Sequence, residues 1–100
     1  MRLEFHPAAV DEAVEAADWY TSRGPGLGDE FENALHSALD RLLGHPESGT
    51  PFHRHYRAWF LGKWPYHVVY RLSSEALIVV AVYHTSRSHD ALLDRLNEHP

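Results

Sequence analysis

The histidines and arginines between residues 64 and 87 are the side chains of this sequence best suited to chemistry. The stretch WPYHVVYRLSSEALIVVAVYHTSR places His67, Arg71, His84 and Arg87 among residues that favour β-strands. Arginine binds phosphate and carboxylate groups, and histidine changes its protonation near neutral pH. If strand geometry brings these side chains to one face, that face could bind an anion.

The charge distribution indicates a local basic surface on an acidic protein. The formal net charge of the 100 residues is −5 at pH 7. Residues 1–50 hold three Lys/Arg and ten Asp/Glu, a net charge of −7, whereas residues 51–100 hold six and four, a net charge of +2. The overall charge argues against a protein whose whole surface binds nucleic acid, because phosphate contacts need cations.

Length and composition predict one globular domain spanning residues 1–100. Hydrophobic residues make up 44% of the chain, and no apolar run is long enough to cross a bilayer. The N-terminus has no apolar region typical of a signal peptide, so we expect a soluble cytoplasmic protein without a membrane partner. The chain has no cysteine, which excludes disulfides and thiolate zinc sites.

Other chemical motifs are weak, and we expect no metal and no cofactor. His53 and His55 form an HRH pair, yet the sequence supplies no evident third ligand. The glycine-rich segment RGPGLG follows a predicted helix, whereas a phosphate-binding loop follows a strand.

The N-terminal segment carries a strand signal followed by a helix signal. Residues 2–5 (RLEF) suit a short strand, and Pro7 suits the first position of a helix because its missing N–H needs no partner there. A helical apolar period then predicts an amphipathic helix. Its predicted buried stripe is Val10, Ala13, Val14, Ala17 and Tyr20, and its predicted polar face holds Asp11, Glu12, Glu15 and Asp18.

A second helix should follow the turn sequence SRGPGLG at residues 22–28. Asp29 and Glu30 suit the positive end of its dipole, and Gly44 is a typical stop. Residues 46–55 are predicted to be a loop, after which YRAWFLG, YHVVYRL and ALIVVAVYH predict a three-stranded antiparallel meander. The predicted fold is α+β, with a two-helix hairpin packed on an antiparallel sheet in the order β-α-α-β-β-β.

Strand alternation predicts where the cations point. The better core face of the middle strand holds Tyr66, Val68, Tyr70 and Leu72, so His67 and Arg71 face away from the helices. A two-residue loop before the last strand would set Arg71 opposite Ile78 and would bring His84 to the same outer face. A one-residue change would move His84 to the helix side. The face on which Arg57 lies stays open, because a three-residue KWP loop sets it opposite Arg71 and a two-residue loop turns it toward the helices.

Five ordered segments resemble the RelE/ParE superfamily, the toxins of type II toxin-antitoxin (plasmid stabilisation) modules. The segments are ADWY, RGPGLGDEFENAL, HPESG, WPYHVVYR and VVAVYHTSR, and the likeness runs from about Leu3 to Arg87. The resemblance implies a compact bacterial fold and a cognate antitoxin that fills an apolar groove and covers a basic site. Trp59 and Trp64 are then candidate antitoxin anchors, because buried aromatic side chains dominate such interfaces.

RelE-like members of the superfamily cut messenger RNA on the ribosome without a metal. By this resemblance, Arg71 and Arg87 match the family's phosphate-handling arginines, and His84 is the acid/base candidate. Arg57 and Lys63 would add contacts to the RNA backbone.

ParE-like members instead inhibit DNA gyrase by binding it. The helical segments and WPYHVVYR resemble this branch more closely, and the net charge of −5 departs from the strongly basic RelE-like ribonucleases. We therefore expect a ParE-like toxin in which Arg57, Lys63, Arg71 and Arg87 contact the target. An endoribonuclease and a non-toxic antitoxin-binding homologue are the alternatives, and a homo-oligomer or a hetero-oligomer with the antitoxin is left open.

Overall fold

The computed structural model describes residues 1–98, in which five strands and three helices follow one another along the chain. The strands are β1 (Arg2–Phe5), β2 (Thr50–His53), β3 (Tyr56–Phe60), β4 (Tyr66–Leu72) and β5 (Ala76–His84). The helices are α1 (Pro7–Arg23), α2 (Leu27–Gly44) and α3 (His89–Glu98). The α+β prediction is confirmed, while the loop prediction for residues 46–55 is wrong where β2 forms.

The predicted domain range and the predicted absence of a membrane span are compared with residues 1–98. The single domain was predicted over residues 1–100, of which His99 and Pro100 lie outside the described residues. Within residues 1–98, none of the helices has the length and apolar character needed to cross a bilayer.

The strands form one sheet in the order β1-β5-β4-β3-β2, with helices on both faces. Neighbouring strands are antiparallel except β1 and β5, which run parallel. We call the face covered by α1 and α2 the hairpin face, and the face covered by α3 the α3 face. The α3 face buries Tyr56, Val69, Val80, Ala81, Tyr83, Leu92 and Leu96.

Helix α1 packs through its alanines rather than its valines. Ala9, Ala16 and Ala17 are buried, whereas Val10 and Val14 are 45% and 54% exposed, so the predicted stripe is wrong at its two valines and confirmed at Ala17. Small residues let the hairpin close tightly. A Cβ added at Gly28 of α2 would lie 2.8 Å from the Ala17 carbonyl oxygen and would collide with the Thr21 hydroxyl.

The register of β4 against β5 begins as predicted and then shifts. Arg71 lies opposite Ile78, but Val69 lies opposite Ala81 because β5 contains one extra residue between Val79 and Ala81. This β-bulge turns Val80 and Ala81 toward the same face and reverses the alternation beyond them. His84 therefore lies opposite Tyr66, on the hairpin face.

Candidate functional site

A groove of about 440 Å³ opens beside α1 at the end of β5. Its apolar wall is aromatic, with Trp19 half exposed and Tyr20 and Tyr66 packed against the hairpin core. Its polar wall comes from the β5 end and from two glutamates of α1. The remaining lining residues are Glu12, Glu15, Ala16, Pro65, His84, Ser86 and Arg87.

His84 is held in this groove by the turn that follows β5. Its Nδ1 accepts hydrogen bonds from the Ser86 backbone N–H at 3.0 Å and from the Ser86 hydroxyl at 2.8 Å. The neutral ring therefore carries its proton on Nε2. The edge of the ring meets Tyr66, with 5.0 Å between the two ring centres. The prediction that His84 shares a face with His67 and Arg71 is wrong, because the bulge in β5 moves it.

Glu12 forms the most heavily bonded charged cluster of the described chain. Its side chain is 11% exposed and lies between two arginines, so its predicted place on a solvated polar face is wrong. Both Nη atoms of Arg95 donate to the Glu12 carboxylate at 2.9 Å, and Arg87 donates to it at 3.1 Å. The hydrogen bonds to Glu12 raise the pKa of Arg95, against the opposite effect of burial. The Arg95 guanidinium is therefore permanently charged.

The same cluster satisfies backbone groups at the bulge. Arg95 donates to the Val80 carbonyl at 3.0 Å, and the Val82 N–H donates to Glu12 at 3.0 Å. Strand β1 ends at Phe5, opposite Val79, so the Val80 carbonyl and the Val82 N–H lie beyond the part of β5 that pairs with β1. The ion pair takes the place of a strand there, which explains why a charged pair is part-buried at this edge.

Arg71 and Arg87, the predicted phosphate-binding arginines, lie apart. Arg71 is half-buried on the α3 face, and among residues 1–98 it has no ion-pair partner. Arg87 lines the groove, where its guanidinium contacts Glu12 and lies 4.3 Å from the Tyr83 ring centre. The basic face predicted from strand alternation is therefore not formed.

Arg57 and Lys63 are engaged elsewhere. Arg57 lies opposite Tyr70, so it turns toward the hairpin face and donates to the Gly49 and Glu47 carbonyls at 2.8 and 3.1 Å. Lys63 is exposed, with its Nζ 3.8 Å from a Glu30 oxygen. Arg57 thus secures the segment before β2, and Lys63 is a surface cation.

The two predicted aromatic anchors differ in exposure. Trp64 is only 7% exposed and packs against Phe31 and Tyr20 in the hairpin core. Trp59 is half-buried beneath Arg41, whose guanidinium lies 5.2 Å from its ring centre. Trp19, which the sequence did not single out, is 50% exposed in the groove.

A second, smaller cavity of about 150 Å³ lies between the sheet and α3. His67 and His89 both line it, beside the rings of Phe52 and Tyr83. Burial lowers the pKa of His67, and the positive charge that His89 can carry lowers it further. His67 is therefore uncharged at neutral pH, which suits an apolar cavity and not an anion site.

The family model of the ParE toxin of type II toxin-antitoxin systems (parDE) matches residues 3–89 of the chain. The chain belongs to the ParE toxin family. A relative, Toxin ParE2 of Mycobacterium tuberculosis, is 29% identical over 92 residues, which cover 91% of this chain and 88% of that protein. The resemblance inferred from the sequence is thus confirmed.

Solved structures show the same fold for this ParE-family chain. A chain of the chromosomal ParDE system from P. aeruginosa superposes with a TM-score of 0.64 at 14% identity, covering 86% of this chain and 97% of that one. A chain of the E. coli RelBE toxin-antitoxin complex superposes with a TM-score of 0.58 at 20% identity, covering 86% and 98%. At these identities the likeness concerns the fold.

Sequence reasoning missed α3, and with it the partner of Glu12 in this ParE-family chain. The sequence does carry a signal for α3, because Ser88 is a typical capping residue and Leu92 and Leu96 recur at helical spacing. In the structure the Ser88 hydroxyl accepts the Asp90 N–H at 3.2 Å. The pairing of Arg95 with Glu12 had no such signal, because it joins residues 83 positions apart.

Proposed function

We propose that this ParE-family chain inhibits growth by binding DNA gyrase and that a cognate antitoxin neutralises it. One observation carries the proposal over RNA cleavage: Arg71, His84 and Arg87 do not converge on one site. Membership of the ParE family and the net charge of −5 support the same reading.

RNA cleavage through the 2′-hydroxyl needs a base, an acid and cations around one phosphate, within hydrogen-bond reach of the reacting atoms. Here His84 lies opposite Tyr66, whereas Arg71 is five residues farther along β4 and on the other face. That separation is roughly 17 Å at about 3.4 Å per residue, before the thickness of the sheet is added. Arg87 is the one predicted arginine near His84, and it shares the Glu12 carboxylate with Arg95.

Arg71 is free to bind a partner, which supports a role for it in target binding. Arg71 is the arginine of the predicted set that has no ion pair and no backbone carbonyl to donate to within residues 1–98. A cation that the fold does not consume is available for an acidic group on a partner protein, where complementary charge sets specificity and association rate.

The groove beside α1 is our proposed antitoxin contact. Exposed Trp19 lines it beside Tyr20, and a partner that covers this tryptophan gains the burial of a large aromatic side chain. The superposed P. aeruginosa and E. coli chains come from toxin-antitoxin systems, which is consistent with a partner of this kind.

Incorporation of labelled precursors in a bacterial host tests the proposal. Induction of the chain should stop DNA synthesis first and should trigger the DNA-damage response, while translation continues. An early stop in translation with cut messages would favour the ribonuclease alternative. Normal growth with soluble protein present would favour the non-toxic homologue.

The antitoxin contact has its own test. A neutralising antitoxin at about 100 times its dissociation constant should raise the free energy of unfolding by about 2.7 kcal/mol. Trp19→Ala should remove most of that gain, and Phe60→Ala, which removes an equally exposed ring outside the groove, serves as the matched control. Equal stabilisation of both variants would contradict the groove as the contact.

A further inference from the structure

The open edge of the sheet at β1 matches a second copy of itself, and we propose that this chain forms a two-fold dimer through antiparallel β1–β1 pairing. Strand β1 lies at the edge of the sheet, and all four of its residues are exposed. An uncovered edge strand presents unpaired N–H and C=O groups to any strand of suitable pattern.

Hydrogen bonding within the monomer fixes which residues face outward. The Arg2 N–H donates to the carbonyl of Glu75, just before β5, and the His6 N–H donates to the Val79 carbonyl in β5, both at 2.8 Å. Because alternate residues of a strand direct their backbone groups to opposite edges, Leu3 and Phe5 direct theirs to the open side. In an antiparallel pair centred on Leu3, Leu3 of each copy exchanges both hydrogen bonds with Leu3 of the other.

The same alignment pairs opposite charges. Arg2 of one copy lies opposite Glu4 of the second copy, at a non-hydrogen-bonded position where the Cα atoms are about 4.5 Å apart. Two-fold symmetry repeats this contact, and Arg2 already lies 2.9 Å from Glu4 within its own chain. The four side chains therefore close a ring of alternating charge, and opposite-charge pairs of this kind stabilise a sheet.

Charge also excludes the neighbouring alignments. A shift of the second strand by two residues keeps the hydrogen-bonding pattern but sets Arg2 against Arg2, or Glu4 against Glu4. Like charges directly opposite each other destabilise the pairing. The sequence RLEF therefore specifies one register for self-pairing, and that match is what favours a second copy over an unrelated strand.

The other face of the paired strands is apolar. Leu3 and Phe5 are each 36% exposed and Met1 is 60% exposed, and Leu3 and Phe5 lie beside Leu77 and Val79 of the hairpin core. In the dimer, Leu3 packs on Leu3 and Phe5 packs on Met1 of the second copy. The strand is short and its pairing buries well below the roughly 800 Å² per partner of a standard interface, so we expect a weak dimer whose population depends on concentration.

Sedimentation equilibrium between low and high micromolar concentration tests the dimer. The wild-type chain should shift from monomer to dimer, and Arg2→Glu or Glu4→Arg alone should weaken the association at least tenfold. An equimolar mixture of the two variants should associate again, because every charge pair is then opposite in sign. A wild-type chain that is monomeric throughout, or variants that dimerise as well as the wild type, would overturn the proposal.

Amide hydrogen exchange identifies the edge involved. At high concentration the Leu3 and Phe5 amides should gain protection, and on dilution they should lose it while His6 keeps its bond to β5. Leu3→Pro removes an outward N–H, together with the side chain that packs on the second copy, and no bond to β5, so it should abolish the dimer and leave the monomer folded. Unchanged dimerisation of Leu3→Pro, or concentration-independent exchange at Leu3, would contradict β1 pairing.

Discussion

The carboxylate of Glu12 accepts hydrogen bonds from both Nη atoms of Arg95 at 2.9 Å. These bonds connect α1 to α3 across the edge of β5. The pair also holds the two backbone groups at the bulge, the Val80 carbonyl and the Val82 N–H. Since the bulge decides which face His84 occupies, the groove beside α1 depends on this ion pair.

Loss of the Glu12 charge should destabilise the fold. Glu12→Gln leaves the Arg95 guanidinium, whose side chain is 17% exposed, without its counter-charge. Because the pair is part-buried, we expect this loss to cost about 1–3 kcal/mol, and denaturant unfolding measures it. Glu15→Gln, in the same groove without an ion pair among residues 1–98, should change the free energy of unfolding by less than about 0.5 kcal/mol. Equal effects of the two substitutions would contradict a structural role for Glu12.

Tyr70→Phe should loosen the segment before β2. The buried Tyr70 hydroxyl donates to the Pro46 carbonyl at 2.7 Å and accepts the Gly49 N–H at 2.9 Å. Its loss leaves both groups without a partner, at a cost of about 1–3 kcal/mol. Tyr66→Phe is the control, because within residues 1–98 the Tyr66 hydroxyl makes no hydrogen bond. If the Tyr70 variant were as stable as this control, the Tyr70 hydroxyl would not be what holds the segment before β2.

Stability should fall as the solution is made acidic. Burial, and then the charge of His89, lowers the pKa of His67 below its ordinary value of 6.5. Below about pH 6.5 the unfolded chain therefore binds a proton that the folded chain does not, and the free energy of unfolding drops. His67→Gln should reduce the difference in stability between pH 7.5 and pH 5.5, whereas His36→Gln on the exposed side of α2 should not. The same pH dependence in both variants would exclude His67 as its source.

Arg71→Ala should abolish growth inhibition without unfolding the protein. The side chain has no ion pair within residues 1–98, so its removal should change stability by less than about 0.5 kcal/mol. Arg23→Ala, which removes an exposed arginine outside the predicted target contact, should remain toxic. Full toxicity of the Arg71 variant, with folding confirmed by circular dichroism, would remove Arg71 from the target contact.

The order of elements and the early register were predictable because each rests on local signals. Pro7 begins α1, Gly44 ends α2, and the short Ser74–Glu75 loop sets Arg71 opposite Ile78. Strand alternation and turn chemistry are properties of neighbouring residues, so the sequence displays them directly.

The arrangement of the candidate site was not predictable by the same means. The bulge between Val79 and Ala81 falls within a run of apolar residues that shows no break, and one extra residue there reverses the side on which His84 lies. The stripe of α1 was misjudged because Val10 and Val14 are more apolar than the alanines that pack. The close approach of Gly28 to the Ala17 carbonyl is a tertiary contact, which the local pattern does not display.

Our central claim is binding to a protein target without RNA cleavage, and paired assays on one preparation test it most directly. Purified chain is added to DNA gyrase with relaxed plasmid and, separately, to translating ribosomes with a defined message. We predict inhibition of supercoiling, loss of that inhibition with Arg71→Ala, and an intact message. Cleavage of the message that His84→Ala abolishes, with supercoiling unaffected, would contradict the account.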